Sequence, residues 1–230
     1  MMNAPNLLNR RGVLAAGFAA GASAFAPPSW ATSPGLPATG MLTFEIHGKG
    51  TTLGRHHLTF VRNGAGLVVE TQVEIGLKLG PVSLFHYSHH AVEAWSDGRF
   101  DRIETTSVLN GRKQMVRAHR TEDGLMIEPA DGPPFLADQG VVPLTHWNRQ
   151  IMDSALFNPQ DGKLLRERAT SRGADTVQLA DGSPLAATRY SLTGDTQIDD
   201  WYDRDGVWAA LKGKIKDGSV LTYRREDHPA

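Results

Sequence analysis

Residues 67–78, LVVETQVEIGLK, decide the fold class because their apolar and polar residues alternate. The odd positions are apolar apart from one Thr, whereas the even positions carry two Glu, one Gln and one Lys. A period of two is typical of a β-strand with one buried face and one solvated face. Asn63-Gly64 comes just before this stretch and accepts the positive φ angles of a tight hairpin turn. The stretch therefore predicts an antiparallel strand that follows a hairpin.

Turn dipeptides of this kind recur between alternating segments throughout residues 41–226. Asp-Gly occurs seven times and Asn-Gly twice, and the chain contains 24 Gly and 13 Pro. Many short strands joined by such turns are typical of all-β proteins. We predict a single all-β domain over 41–226, a mainly antiparallel, curved open sheet or half-barrel of about 11–13 strands.

One segment departs from the strand pattern. Residues 149–156 contain no turn residue, and their apolar residues have a spacing compatible with a helix. Thr145 or Asn148 could cap its first turn, and Asn158-Pro159 would end it. We therefore predict one short helix near 148–157.

Residues 1–31 have the features of a signal peptide. Arg10 and Arg11 form a positive region, and residues 13–26 form an uncharged run of apolar and small residues. That run is shorter than the roughly 20 residues that a membrane-spanning helix needs. We expect a periplasmic or secreted protein after cleavage.

Two cleavage positions fit this segment. Residues 22–24 and 29–31 both have the small-x-small pattern of a cleavage site. Cleavage after Ala31 is preferred because Pro27-Pro28 would end the apolar helix just before it, and cleavage after Ala24 is the alternative. The paired arginines resemble a twin-arginine signal, with a Sec signal as the alternative.

The remaining chain is mildly acidic and has no cysteine. Residues 32–40 form a Pro/Gly-rich linker, and the chain after residue 31 has 22 Lys and Arg against 25 Asp and Glu, a net charge of −3. This charge opposes nucleic-acid binding. The absence of Cys excludes disulfides, thiolate metal sites and a Cys nucleophile, and no cofactor motif is present. No later apolar run reaches membrane length, so we expect no integral membrane protein after processing.

The histidines are numerous but poorly spaced for a metal site. The chain has nine His, and three of them, His86, His89 and His90, lie on one predicted strand. Alternation places His89 and His90 on opposite faces, and His86 and His90 are about 13 Å apart along the strand. No metal site is predicted.

The tripeptide His146-Trp147-Asn148 lies at the predicted break between strand and helix. His146 could act as a general acid or base, with Asn148 as an orienting group. The structural interpretation, in which Trp147 anchors the helix and Asn148 caps it, is favoured because no nucleophile motif such as G-x-S-x-G occurs.

Residues 199–203, DDWYD, supply the other catalytic candidates. Asp200 and Tyr202 share one face of a predicted strand, so they could form an acid/base site together. The alternative is a strand that runs into an Asp-rich turn, with Trp201 packed inside.

Several segments jointly indicate a family. They are a hairpin with Gly50, Gly54, His56 and Phe60, the tripeptide at 146–148, FNPQDGK at 157–163, RYSLTG at 189–194 and DWYD at 200–203. Over residues 41–225 the chain resembles an uncharacterised family of exported bacterial proteins, mostly proteobacterial, of unknown function. That family is similar to periplasmic β proteins with the fold of the lipoprotein carrier of the outer-membrane pathway. The resemblance implies an open, curved antiparallel sheet with an apolar concave face, and it implies no catalytic residues.

The concave face of such a sheet is the predicted functional surface. A long sheet with one short helix leaves apolar surface uncovered, which favours non-catalytic binding of an apolar small molecule or lipid, such as an acyl chain. The residues predicted to line this surface are Phe44, Phe85, Tyr87, Trp95, Trp147, Trp201 and Trp208. The alternatives are an exported enzyme that uses His146, and a structural or assembly protein of the cell envelope that binds partners at its sheet edges.

Overall fold

The computed structural model describes residues 35–79, 82–215 and 218–227, so the predicted signal peptide and both cleavage positions lie outside the described residues. These ranges contain sixteen strands and one 3-10 helix, Arg149–Asp153. The strands in chain order are β1 (Met41–Gly48), β2 (Thr51–Asn63), β3 (Gly66–Leu79), β4 (Val82–Ser96), β5 (Arg99–Leu109), β6 (Arg112–Arg120), β7 (Leu125–Glu128), β8 (Phe135–Ala137), β9 (Val141–Pro143), β10 (Ala155–Phe157), β11 (Leu164–Leu165), β12 (Glu167–Gln178), β13 (Pro184–Gly194), β14 (Gln197–Asp203), β15 (Trp208–Lys214) and β16 (Val220–Glu226).

Thirteen of these strands form one antiparallel sheet. Its order is β12-β13-β14-β15-β16-β1-β2-β3-β4-β5-β6-β7-β8, so neighbours in the chain are neighbours in the sheet except where β16 pairs with β1. That pairing joins the five strands from the C-terminal part of the chain, β12 to β16, to the eight strands from its N-terminal part, β1 to β8. Strands β8 and β12 form its two edges, so the sheet is open. The prediction of an all-β, mainly antiparallel open sheet is confirmed.

The turn dipeptides join neighbouring strands as their chemistry requires. Asp97-Gly98 connects β4 to β5 and Asn110-Gly111 connects β5 to β6. All four of these residues have positive φ, between 49° and 87°. A two-residue loop with positive φ at both positions has the twist that matches right-handed strands. These dipeptides therefore determine strand pairing locally.

The segment between β8 and β12 packs on the concave face of the large sheet. Strands β9, β10 and β11 form a small second sheet in which β10 runs parallel to β9. Ile151, Leu156 and Phe157 of this segment are buried in the main core, which also includes Phe100 and Ile103 of β5. We call residues 138–166 the plug, because they fill this part of the concave face.

The predicted helix is confirmed in position but is shorter than expected. It is a single 3-10 turn, Arg149–Asp153, and Asn148 caps it by accepting a hydrogen bond from the Gln150 backbone N–H at 3.0 Å. The following Ala155–Phe157 forms β10 because its backbone pairs with β9. No helix among the described residues is long and apolar enough to cross a membrane.

Part of the predicted linker contacts the sheet. The Gly35 N–H donates to the Asp205 carbonyl at 3.0 Å, and the Phe60 N–H donates to the Gly40 carbonyl at 2.8 Å. Leu36 packs against the main core. Residues 35–40 are therefore held against the sheet by backbone bonds and packing.

Candidate functional site

Two buried carboxylates hold the segment Thr145-His146-Trp147 across the concave face. On β4, Glu93 Oε1 accepts hydrogen bonds from Thr145 Oγ1 at 2.9 Å and from Trp147 Nε1 at 3.4 Å. The other oxygen of Glu93 accepts from Trp95 Nε1 at 2.9 Å. Burial raises the pKa of Glu93 to about 7, although these three hydrogen bonds oppose the shift. Glu93 therefore fixes one side of the segment.

The other carboxylate is Asp200 on β14. Asp200 Oδ2 lies 3.0 Å from His146 Nδ1, and Asp200 Oδ1 accepts from Trp208 Nε1 at 3.0 Å. The Tyr202 hydroxyl donates to the backbone carbonyl of His146 at 2.9 Å. The His146 ring stacks on Trp208, with ring centroids 5.5 Å apart. Asp200 and Tyr202 reach the same segment because alternation places both on the inner face of β14.

Within the described ranges, this arrangement leaves one nitrogen of His146 without a hydrogen-bond partner. The Asp200 side chain is fully buried, whereas 18% of the His146 side chain is exposed. With Nδ1 donating to Asp200, a neutral imidazole has an unprotonated Nε2, and that atom has no hydrogen-bond partner among the described residues. The pair therefore has the orientation of a histidine base held by a carboxylate.

Two further histidines lie on the same inner face. His56 of β2 is buried, and neither of its ring nitrogens has a hydrogen-bond partner among the described residues. Burial lowers the pKa of His56, and the nearby His146 and His89 lower it further. His89 of β4 contacts Ser107 Oγ through Nδ1 at 2.8 Å, and burial lowers its pKa to about 4. Both histidines are therefore neutral at neutral pH.

Beyond these histidines the concave face has a second apolar cluster, which we call the aromatic basin. Its buried floor is Ile46, Val73 and Ile75. Its partly exposed members are Leu53, Phe85, Tyr87, Leu221 and Tyr223. The basin is the part of the concave face where large aromatic side chains keep some exposure.

Contacts to the plug show that the inner face is concave. Glu93 of β4 and Asp200 of β14 lie on strands six positions apart in the sheet, a separation of about 29 Å if the sheet were flat. Their side chains nevertheless contact the adjacent residues Thr145 and His146. In the basin, burial raises the pKa of the hydroxyls of Tyr87 and Tyr223.

The seven predicted ligand-binding aromatic residues separate into three groups. Four of them are at most 5% exposed within the main core: Phe44, Trp95, Trp147 and Trp208. Trp201 lies on the opposite face of β14, where its Nε1 donates to Asp175 Oδ2 at 2.9 Å. Only Phe85 and Tyr87 belong to the aromatic basin.

Of the catalytic candidates, the structure brings three together. His146, Asp200 and Tyr202 are in direct contact. Asn148 is not part of this group, because its side chain caps the 3-10 helix. Within the described ranges, no group of three or more His, Asp or Glu side chains could hold a metal ion.

Sequence reasoning missed Glu93, and the signal for it was present. Glu93 is in phase with Ala91 and Trp95, which are inward residues of β4. A charged residue at an inward position must find buried partners. The same phase argument, applied to Leu58 and the other inward residues of β2, would have placed His56 in the interior.

Comparison with known proteins supports the fold. The chain is similar to the crystal structure of a β-barrel-like protein of the domain of unknown function DUF1849 from Brucella abortus, with a TM-score of 0.59 and 8% sequence identity. The match covers 81% of this chain and 95% of that chain, and at this identity it shows the fold alone. A search of curated proteins finds no significant match. A family model, the domain of unknown function DUF6134, matches residues 44–226, and this chain therefore belongs to that family.

Proposed function

We propose that this protein is exported and binds an apolar ligand, such as a lipid acyl chain, in the aromatic basin without catalysing a reaction. The observation that carries the proposal is the partial exposure of Phe85, Tyr87 and Tyr223 within a concave surface. Aromatic side chains around an apolar floor, with a few polar groups nearby, are typical of small-molecule sites.

Two features of the sequence support the proposal. The signal-peptide features of residues 1–31 support export. The resemblance to proteins with the lipoprotein-carrier fold supports an apolar ligand on the concave face. The plug limits the ligand to the basin, because it already covers the other part of this face.

The expected affinity is moderate. Burying about ten methylene groups of a ligand contributes about 8 kcal/mol of favourable binding free energy, before the entropic cost of association is subtracted. Because that cost reduces the net free energy, we expect dissociation constants at or above the micromolar range.

Native mass spectrometry and lipid extraction of the purified protein test this proposal. We expect a co-purifying lipid, and displacement of a fluorescent acyl probe by added fatty acid. Phe85→Glu should abolish probe binding, because it places a charge in the basin. Val92→Glu is the matched control, since Val92 lies on the outer face of the same strand and is 38% exposed. Absence of both a bound lipid and probe binding would refute the proposal, as would equal losses in the two variants.

A second candidate function is general-base catalysis by His146. The observation that favours it is the contact with buried Asp200, which leaves Nε2 of His146 with no hydrogen-bond partner in the described part of the chain. Because no hydroxyl of the described residues contacts Nε2, the base would act on water or on the substrate itself.

Hydrolysis of a panel of esters, amides and phosphoesters tests this candidate. His146→Gln should abolish any turnover. His90→Gln is the matched control, since His90 also contacts a carboxylate, Glu70 Oε1 at 2.9 Å, but is exposed on the outer face. Absence of turnover in the wild-type protein, or equal turnover in both variants, would count against catalysis at His146.

A further inference from the structure

A cleft of about 310 Å³ lies along the C-terminal strands of the large sheet. Its charged and hydroxyl-bearing lining includes Arg172, Arg189, Ser191, Asp199, Lys212 and Lys214. By strand alternation, Asp199 faces away from its neighbour Asp200, so these residues belong to the outer face of the sheet. The cleft is therefore separate from the aromatic basin and from His146.

Among the described residues that line the cleft, Asp199 is the single acidic one, and its oxygens are already engaged. Arg189 donates to Asp199 Oδ2 at 2.6 Å, and Ser191 Oγ donates to Asp199 Oδ1 at 2.5 Å. Lys212 is the register partner of Asp199 on β15, yet it forms no ion pair within the described residues. The carboxylate therefore neutralises Arg189, and no acidic side chain in the described part of the chain forms an ion pair with Lys212 or Lys214.

Side-chain contacts hold both arginines of the cleft, Arg172 and Arg189, in place. The Arg189 guanidinium lies over the Trp201 ring, 5.4 Å from its centroid, as well as on Asp199. Arg172 donates through Nε to Ser191 Oγ at 3.0 Å, and this bond leaves its two terminal nitrogens for another acceptor. Fixed guanidinium groups lose little side-chain entropy when they bind an anion.

The charge of the cleft contrasts with that of the chain. The described lining residues, with four cations and one carboxylate, carry a net charge of +3, whereas the whole chain has a net charge of −1. A local positive site on an acidic protein favours a compact anion over a long polyanion. Guanidinium and ammonium groups together are the usual ligands of phosphate in proteins.

We propose that this cleft binds the phosphate group of a small phosphorylated molecule or of a lipid headgroup. Lys212, Lys214 and the terminal nitrogens of Arg172 contact the phosphate oxygens, while Asp199 keeps Arg189 in position. Because the cleft and the basin lie on opposite faces of the sheet, phosphate binding at the cleft does not depend on the function proposed for the basin.

Titration of the purified protein with inorganic phosphate and glycerol phosphate, followed by calorimetry, tests the soluble source. Cosedimentation with phosphatidic acid vesicles, compared with phosphatidylcholine vesicles, tests the lipid source. We expect saturable binding in at least one arm, and the arm that responds identifies the source. The double variant Lys212→Gln/Lys214→Gln should weaken that binding by about tenfold or more.

The control variant is Lys113→Gln/Lys163→Gln, which removes the same charge from exposed positions outside the cleft. It should bind phosphate as the wild-type protein does. Equal weakening in both double variants would show a nonspecific effect of charge and would overturn the proposal. Absence of saturable binding in both arms would overturn it as well.

Discussion

Replacing Glu93 with Gln should change how the stability of the protein depends on pH. Glu93 is 2% exposed, and burial raises its pKa from 4.5 to about 7. Between these two values the folded protein keeps the proton that the unfolded chain has released. The contribution of Glu93 to stability is therefore fully present below about pH 4.5 and is lost as the pH rises through 7.

The size of the effect follows from the shift. At 1.36 kcal/mol per pKa unit, a shift from 4.5 to about 7 corresponds to about 3 kcal/mol of unfolding free energy. Glu93→Gln removes the titration but keeps the shape and one acceptor oxygen. As the pH rises from about 4 to about 8, the unfolding free energy of the wild-type protein should therefore fall by about 3 kcal/mol relative to that of the variant.

Urea unfolding followed by tryptophan fluorescence measures this difference. Trp95 and Trp147 both donate to Glu93, so they report directly on its surroundings. Burial lowers the pKa of His56 and His89, which makes stability rise with pH, but this contribution is present in both proteins and cancels in the difference.

Glu104→Gln is the control, because Glu104 is exposed on the neighbouring strand β5. The difference in unfolding free energy between Glu104→Gln and the wild-type protein should vary with pH much less than the difference between Glu93→Gln and the wild-type protein. A difference between the wild-type protein and Glu93→Gln that is independent of pH would refute the assignment of a raised pKa to Glu93.

Two further substitutions probe the site and the sheet. In the neutral form of His146, Asp200→Asn should move the ring proton from Nδ1 to Nε2, which ¹⁵N NMR detects. The substitution should also destabilise the fold by about 1–3 kcal/mol. An unchanged tautomer would contradict the contact between His146 and Asp200. Gly54→Ala should destabilise the protein by about 3 kcal/mol or more, or prevent folding, because its Cβ would lie 1.8 Å from the Glu74 carbonyl oxygen. Gly140→Ala, which meets no atom within 4 Å, should change the melting temperature little, and equal effects of the two substitutions would contradict the close approach at Gly54.

The residues of the site were only partly predictable. Alternation correctly placed Asp200 and Tyr202 on one face, and the interruption of the strand pattern identified His146 as unusual. The contact between His146 and Asp200 joins residues 54 positions apart in the sequence, and no local pattern predicts a contact between residues so far apart in the chain. Four of the seven aromatic residues predicted to line a ligand site are buried in the main core, where Trp147 of the plug packs with three aromatic residues of the large sheet.

The sequence by itself determined the strands and most of their hairpins. A period of two in residues 67–78 and the positive φ angles required at Asn110-Gly111 are local properties, so they do not depend on contacts between residues distant in the chain. Only the tertiary structure decided which part of the concave face is covered and which polar groups meet there. Contacts between residues distant in the chain determine the curvature of the sheet, the pairing of β16 with β1 and the packing of the plug. For this reason, alternation could assign a side chain to a face of the sheet but not to a partner.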